Sequence, residues 1–174
     1  ISFYLAVQED GIADVLRIIT PREYEGYALS LWSRSQRKIG RWLQGQLLLG
    51  LIIGVIVFIA LTILQVRYAL ILAILSAIFE IIPYFGPILA AIPAVAVAAI
   101  QDPFLGLLVA GIYFLVQQTE NHLIYPQVVR KTVGVPPLLA IIALLIEGKL
   151  AGMTGFIVAI PVAVVLVEYL NDVV

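Results

Sequence analysis

The chain has 174 residues, 63% of them hydrophobic and 12% charged, with a formal net charge of -1 and a mean hydropathy of +1.10. Water-soluble domains are about 45–50% apolar and about 25% charged, so this chain has too little polar surface to cover a water-facing globule; its composition belongs in a bilayer. With no cysteine and one histidine it lacks a disulfide framework, a thiolate metal site and a cysteine nucleophile, and near-neutral charge argues against a nucleic-acid partner.

Ile1, Phe3, Tyr4, Leu5, Ala6 and Val7 form an apolar run that reads as the tail of a truncated membrane span over 1–8. Residues 9–46 then carry six of the ten Lys and Arg and five of the eleven acids, which makes them an amphipathic, water-facing helical segment. Ile12, Val15, Leu16 and Ile19 fall at i, i+3, i+4 and i+7 on a short helix. Thr20-Pro21-Arg22-Glu23 supplies an N-cap, a proline at the first helical position and a capping-box Glu, so a second helix starts there. Arg34, Arg37, Lys38 and Arg41 form its basic face, suited to phospholipid headgroups and weakly favouring a cytoplasmic side.

A membrane domain is expected over 47–167. Leu47 to Leu64 is 18 residues without a charge, close to the roughly 20 that cross a bilayer, with Trp42 and Tyr68 near its ends as interface aromatics. Gly50 and Gly54 offer a flat face for close helix packing. Ala69 to Ile100 is 32 residues, about 48 Å as one straight helix, too long for a single span and too short for two with a turn. Proline removes a backbone donor and clashes with the preceding turn, so the sequence predicts two arms, about 69–82 and 87–100, joined through Pro83-Tyr84-Phe85-Gly86 ahead of Pro87. Irregular backbone at membrane depth survives only where protein buries it or where it lines a wet cavity.

Phe104 to Val116 is 13 apolar residues, and the polar block Gln117 to His122 either lies in the membrane or marks an exit from it. Val135 to Ile146 is a further short run, Glu147-Gly148-Lys149 reads as a surface turn, and Leu150 to Val167 contains Pro161 as another break. The polar tail is 168–174. The fold class is therefore an all-α polytopic membrane protein with transmembrane helices and Pro/Gly-broken, re-entrant hairpins.

Glu80 stands in an apolar stretch immediately before the break. A charged group at a helix centre costs about 2.5–3.5 kcal/mol on insertion scales, so Glu80 should face a cavity, find a donor or take up a proton. Functionally it is a proton-carrier candidate; structurally it could cap free amides at the break. On a helix Gln117, Glu120 and Asn121 share one face, with Tyr113 one turn earlier, and this stripe could bind a cation or a polyol-like solute, or simply be a helix end in water. His122 lies off the stripe and has no metal-ligand partners. No Walker-type loop, dinucleotide fingerprint, zinc-protease motif or nucleophile elbow is present. The expectation is a non-enzyme without a cofactor or metal site, whose transport would be channel-like or driven by an ion gradient.

Four blocks in order resemble the bacterial autoinducer-2 exporter-like (AI-2E) family: Arg41-Trp42-Leu43-Gln44-Gly45-Gln46-Leu47; Tyr68-Ala69-Leu70 running to Glu80-Ile81-Ile82-Pro83-Tyr84-Phe85-Gly86-Pro87; Gln117-Gln118-Thr119-Glu120-Asn121 with Pro126; and Gly148, Gly152 and Gly155 leading to Ala159-Ile160-Pro161. The resemblance spans about 41–167. It implies the C-terminal part of a protein of about twice this length with around eight spans, in the bacterial inner (plasma) membrane. It also implies mobile re-entrant hairpins and a homo-oligomer, a pentamer being one arrangement. The implied activity is export of the quorum-sensing furanone signal or of another small polar solute, or Na+ or Li+ antiport against H+. The family's I-P-x-x-G-P turn and Q-x-x-E stripe match Ile82, Gly86 and Pro87, and Gln117 and Glu120. Glu147-Gly148-Lys149 departs from the Gly-Gly common in the family. A non-transporting membrane scaffold or assembly protein is the alternative, and a passive channel is a third.

Overall fold

The computed structural model describes residues 11–124 and 136–173. The expected span tail at 1–8 and the residues Pro126, Arg130 and Lys131 lie outside them. Among the described residues every regular element is helical: α1 (Gly11–Ile19), α2 (Arg22–Ile63), α3 (Ala69–Phe79), α4 (Phe85–Gln101), α5 (Pro103–Thr119), a π-helical turn (Glu120–Ile124) and α6 (Pro137–Val173). They fall into two compact units, one joining the described residues up to Gly40 with those from Pro136 onward, the other running from Arg41 to Ile124.

In the first unit α6 is not a straight rod. Gly152 has φ 60 and ψ -133, a conformation that only a residue without Cβ adopts freely. The chain doubles back there. Gly155 presses on the Glu147 carbonyl and Gly148 lies under the Phe156 ring, although eight residues of straight helix would separate such positions by about 12 Å. The sequence places breaks at Glu147-Gly148-Lys149 and at Pro161; both lie inside helical arms, and the reversal belongs to Gly152. Proline removes one hydrogen bond and bends a helix, whereas reversing it takes a dihedral pair that a Cβ forbids.

Charges tie α6 to the polar stretch of α2. Arg34 makes a two-pronged bond to Asp172, Nη1 to Oδ1 at 2.9 Å and Nη2 to Oδ2 at 2.5 Å, and Lys38 Nζ bonds Glu168 Oε1. Hydrogen bonding from Arg34 holds the Asp172 carboxyl below the usual carboxylate range, against a smaller opposing effect of burial. A depressed folded value means stability that is present above the unfolded pKa and lost as pH falls through the folded one. Acid unfolding of the purified protein should therefore lose part of its pH dependence in Asp172→Asn, and superimposable acid profiles would remove this pair from the account.

In the second unit α2 is apolar all round, with a buried and an exposed side. Trp42, Gln46, Leu49, Ile53, Val57 and Leu61 are buried at three- and four-residue steps, while Leu47, Leu51, Val55, Ile59 and Ile63 are exposed on another face. A helix hydrophobic on every side suits a hydrocarbon surround. The expected boundary at 46/47 lies inside this one continuous helix, and Trp42 is buried against protein. Gly50 and Gly54 do bring α2 close to α3: a Cβ at Gly50 would sit 2.7 Å from the Ala77 carbonyl oxygen, and one at Gly54 2.9 Å from the Ala77 Cβ. The α4–α5 turn is fixed by Asp102, whose Oδ1 accepts from the amides of Phe104 (2.8 Å) and Leu105 (3.0 Å). Asp102→Ala should cost about 1 kcal/mol of stability, read as a lower unfolding midpoint; no change would mean that the cap is redundant.

Candidate functional site

The break in the apolar hairpin lies at Glu80–Tyr84, between α3 and α4. The sequence places it at 83–86, after an arm over 69–82. The helix thus ends three residues earlier, at Phe79, and Gly86 and Pro87 stand in the first turn of α4, with Pro83 alone of the three in the break. The physical reason is that Pro83 denies the helix a donor and disfavours helical backbone just ahead of it. Pro87 costs nothing in a first turn, where amides lack helical partners anyway.

The backbone of the break is satisfied by local turns: Ile82 N donates to Phe79 O (2.9 Å), Phe85 N to Pro83 O (2.8 Å) and Gly86 N to Ile82 O (2.8 Å). The Glu80 carbonyl accepts from the Gln46 side-chain amide of α2. Tyr84 carries the conformational load, with φ 66 and ψ -42, outside the left-handed helical basin and rare for a residue with a Cβ. Gly86 sits so close to the end of α3 that a Cβ there would run into the Phe79 carbonyl. Strained backbone over-determined by its neighbours is common at functional sites.

Two acids meet behind this break. Glu80 is 1% exposed and Glu120, from the turn after α5, is 5% exposed, and their carboxyl groups face one another. Apart from the facing carboxyl itself, neither oxygen of Glu80 nor Oε2 of Glu120 has a hydrogen-bond partner. The ion pairs of Arg17, Arg34 and Lys38 lie in the other unit. Two facing carboxylates without a donor or cation repel each other and forfeit hydration, while one proton or one bound cation between them removes both costs.

Further along the same two helices, Ser76 Oγ donates to Leu72 O (2.9 Å) and lies 2.8 Å from the Tyr113 hydroxyl. Ser76 precedes Glu80 by one turn and Tyr113 precedes Glu120 by two, so hydroxyls and carboxyls form a buried polar column between α3 and α5. Gln46, 1% exposed, adds an Oε1 without a partner.

Of the expected site residues, Glu80 and Glu120 are brought together, Gln117 is half-buried, and Asn121 is exposed. Within the stripe of Gln117, Glu120 and Asn121, burial therefore falls on Glu120, where the turn widens to a π-helix. His122 is exposed, its Nδ1 2.9 Å from Gln118 O. Pro161 belongs to the other unit's α6. Among the described residues no group of three or more His, Asp or Glu could hold a metal ion. Gln46 stands in the first resemblance block without an assigned role, and Ser76 escapes motif reading. Their signal is spacing: Gln46 follows buried Trp42 by four residues, and Ser76 precedes Glu80 by four.

Discontinuous apolar helices packed through glycine and enclosing a buried acid pair are the architecture of an α-helical membrane protein. The chain belongs to the AI-2E family of transporters, whose family model matches residues 1–174. It is 36% identical over 172 residues to YueF of Bacillus subtilis, covering 98% of this chain and 47% of that protein. It is 31% identical over 164 residues to YrrI of the same organism, covering 94% and 46%. To TqsA of Escherichia coli it is 26% identical over 145 residues, covering 83% and 42%. YueF and YrrI are named as transport proteins and TqsA as an AI-2 transport protein. The chain spans less than half the length of these relatives.

Proposed function

We propose that the chain forms part of a multi-pass secondary transporter of the bacterial plasma membrane, with Glu80 and Glu120 as its ion-coupling pair. It moves a small polar solute such as an AI-2-like signal, or exchanges Na+ for H+, past the break between α3 and α4. The observation that carries this reading is the facing pair of buried carboxyls with three unpartnered oxygens, set in otherwise apolar helices beside strained backbone. Intramembrane acids are expensive, and where they persist they serve substrate, ion or proton pathways. Family membership and the transport names of the relatives support the general role, and the name of TqsA supports an AI-2-like solute. Gln117 is half-buried three residues before Glu120, and Pro83, with Gly86 and Pro87 in the first turn of α4, marks the discontinuity about which the arms rearrange.

The test is flux. Full-length protein in proteoliposomes is offered the AI-2 furanone and a panel of small polar solutes under an imposed proton or sodium gradient. Accumulation above that in empty liposomes, abolished by dissipating the gradient, is the expected result. Flux indifferent to the gradient would indicate a passive channel. No flux of any solute or ion would favour a scaffold.

A further inference from the structure

We propose that the arm of α6 after Gly152 is a hinged lever, latched to the polar stretch of α2 by a four-charge clasp that opens as ionic strength rises. Arg34 and Lys38 stand one turn apart on α2, and Glu168 and Asp172 one turn apart on α6, so the two rows meet as a two-by-two block. Besides the Arg34–Asp172 fork and the Lys38–Glu168 bond, Arg34 Nη1 lies 3.9 Å from Glu168 Oε2, linking the two pairs.

The clasp is only partly shielded from water. Side-chain exposure is 37% for Arg34, 30% for Lys38, 22% for Asp172 and 7% for Glu168, so dissolved ions reach three of its four members. Also around it are Tyr27 and Tyr169 near Asp172, and the Ser30 carbonyl, which accepts from Arg34 Nε at 3.4 Å. Beside Arg34, Ser35 is fully buried with an unpartnered Oγ, a cost of the closed arrangement that wetting would relieve. At the other end of the arm is Gly152, whose non-helical dihedrals supply the pivot. From Gly152 to Glu168 the lever is about 24 Å long. A pivot at one end and a screenable lock at the other are the parts of a two-state element.

Spin labels on cysteines introduced at Gln36 and Leu170, both exposed, report the distance across the clasp in the full-length protein in nanodiscs. Raising salt from about 0.1 M to about 1 M shortens the screening length from about 10 Å to about 3 Å. A longer-distance component should then grow to become the major one. Lys38→Glu should give that component at low salt, and the exchange Lys38→Glu with Glu168→Lys should restore the short distance. Should Lys38→Glu fail to fold, Glu168→Gln takes its place, and the unsubstituted salt series stands alone. One short distance at both salt concentrations and in the single variants would overturn the latch.

Discussion

Glu80→Gln in the full-length transporter should bring gradient-driven flux down to the level of empty liposomes while leaving insertion intact and stability no lower. The loss is expected because an amide neither releases a proton nor neutralises a bound cation, so the pair can no longer cycle between two charge states. The stability expectation runs the other way from most core substitutions. Both Glu80 oxygens are buried without partners, and a buried unsatisfied polar group costs about 1–3 kcal/mol. Gln keeps the volume, removes one of two facing charges and offers the remaining Glu120 carboxylate a donor. The unfolding midpoint should rise by the equivalent of about 1 kcal/mol, the pattern of a residue kept for activity at the expense of stability.

Glu120→Gln should act in the same way. The double variant should gain less stability than the two single gains added, because each single change already removes the shared repulsion. Unchanged flux in Glu80→Gln would take that residue out of the mechanism. Loss of flux together with a lowered unfolding midpoint would mean that Glu80 holds the break together instead.

The parts of this architecture that composition and helical spacing control were legible in the sequence. A run of 18 uncharged residues is a helix whatever surrounds it, and the Gly50/Gly54 face packs closely because nothing projects from it. Glu80 stands out as a charge among hydrocarbon, and Pro83 as a missing donor. The rest depends on information that no local pattern holds. The pairing of Glu80 with Glu120 follows from tertiary packing, in which α3 and α5 both lie against α4. Which residue of the polar stripe is buried depends on what packs against that turn, which spacing alone does not give: Glu120 is buried and Asn121 beside it is exposed. At Gly152 the local pattern points instead to Pro161, since glycine in an apolar helix is as often a packing face as a reversal. Gln46 and Ser76 lie on buried stripes, but a lone Gln or Ser carries no charge to draw attention to it.

Gly86→Ala should be the most damaging single-methyl substitution in the second unit, costing about 3 kcal/mol and abolishing flux. Overpacking a filled site costs about 1–3 kcal/mol, and the upper end applies where nothing can yield. Here the obstacle is the Phe79 backbone carbonyl at the end of α3, fixed by the hydrogen bond that it accepts from Ile82. Because the clash is with main chain, no side-chain substitution elsewhere should rescue it. Gly148→Ala provides the contrast: its added methyl meets the far end of the Phe156 ring, so Phe156→Ala in the same chain should recover part of the loss. Gly111→Ala provides the opposite sign. Nothing lies within 4 Å of a Cβ there, and replacing a helical glycine by alanine gains up to about 1 kcal/mol. Unfolding midpoints of the purified variants in detergent read all three. Equal midpoints for Gly86→Ala and Gly111→Ala would show that α3 and α4 can separate at the break without penalty, and the tight elbow behind the acid pair would then not be needed to hold it.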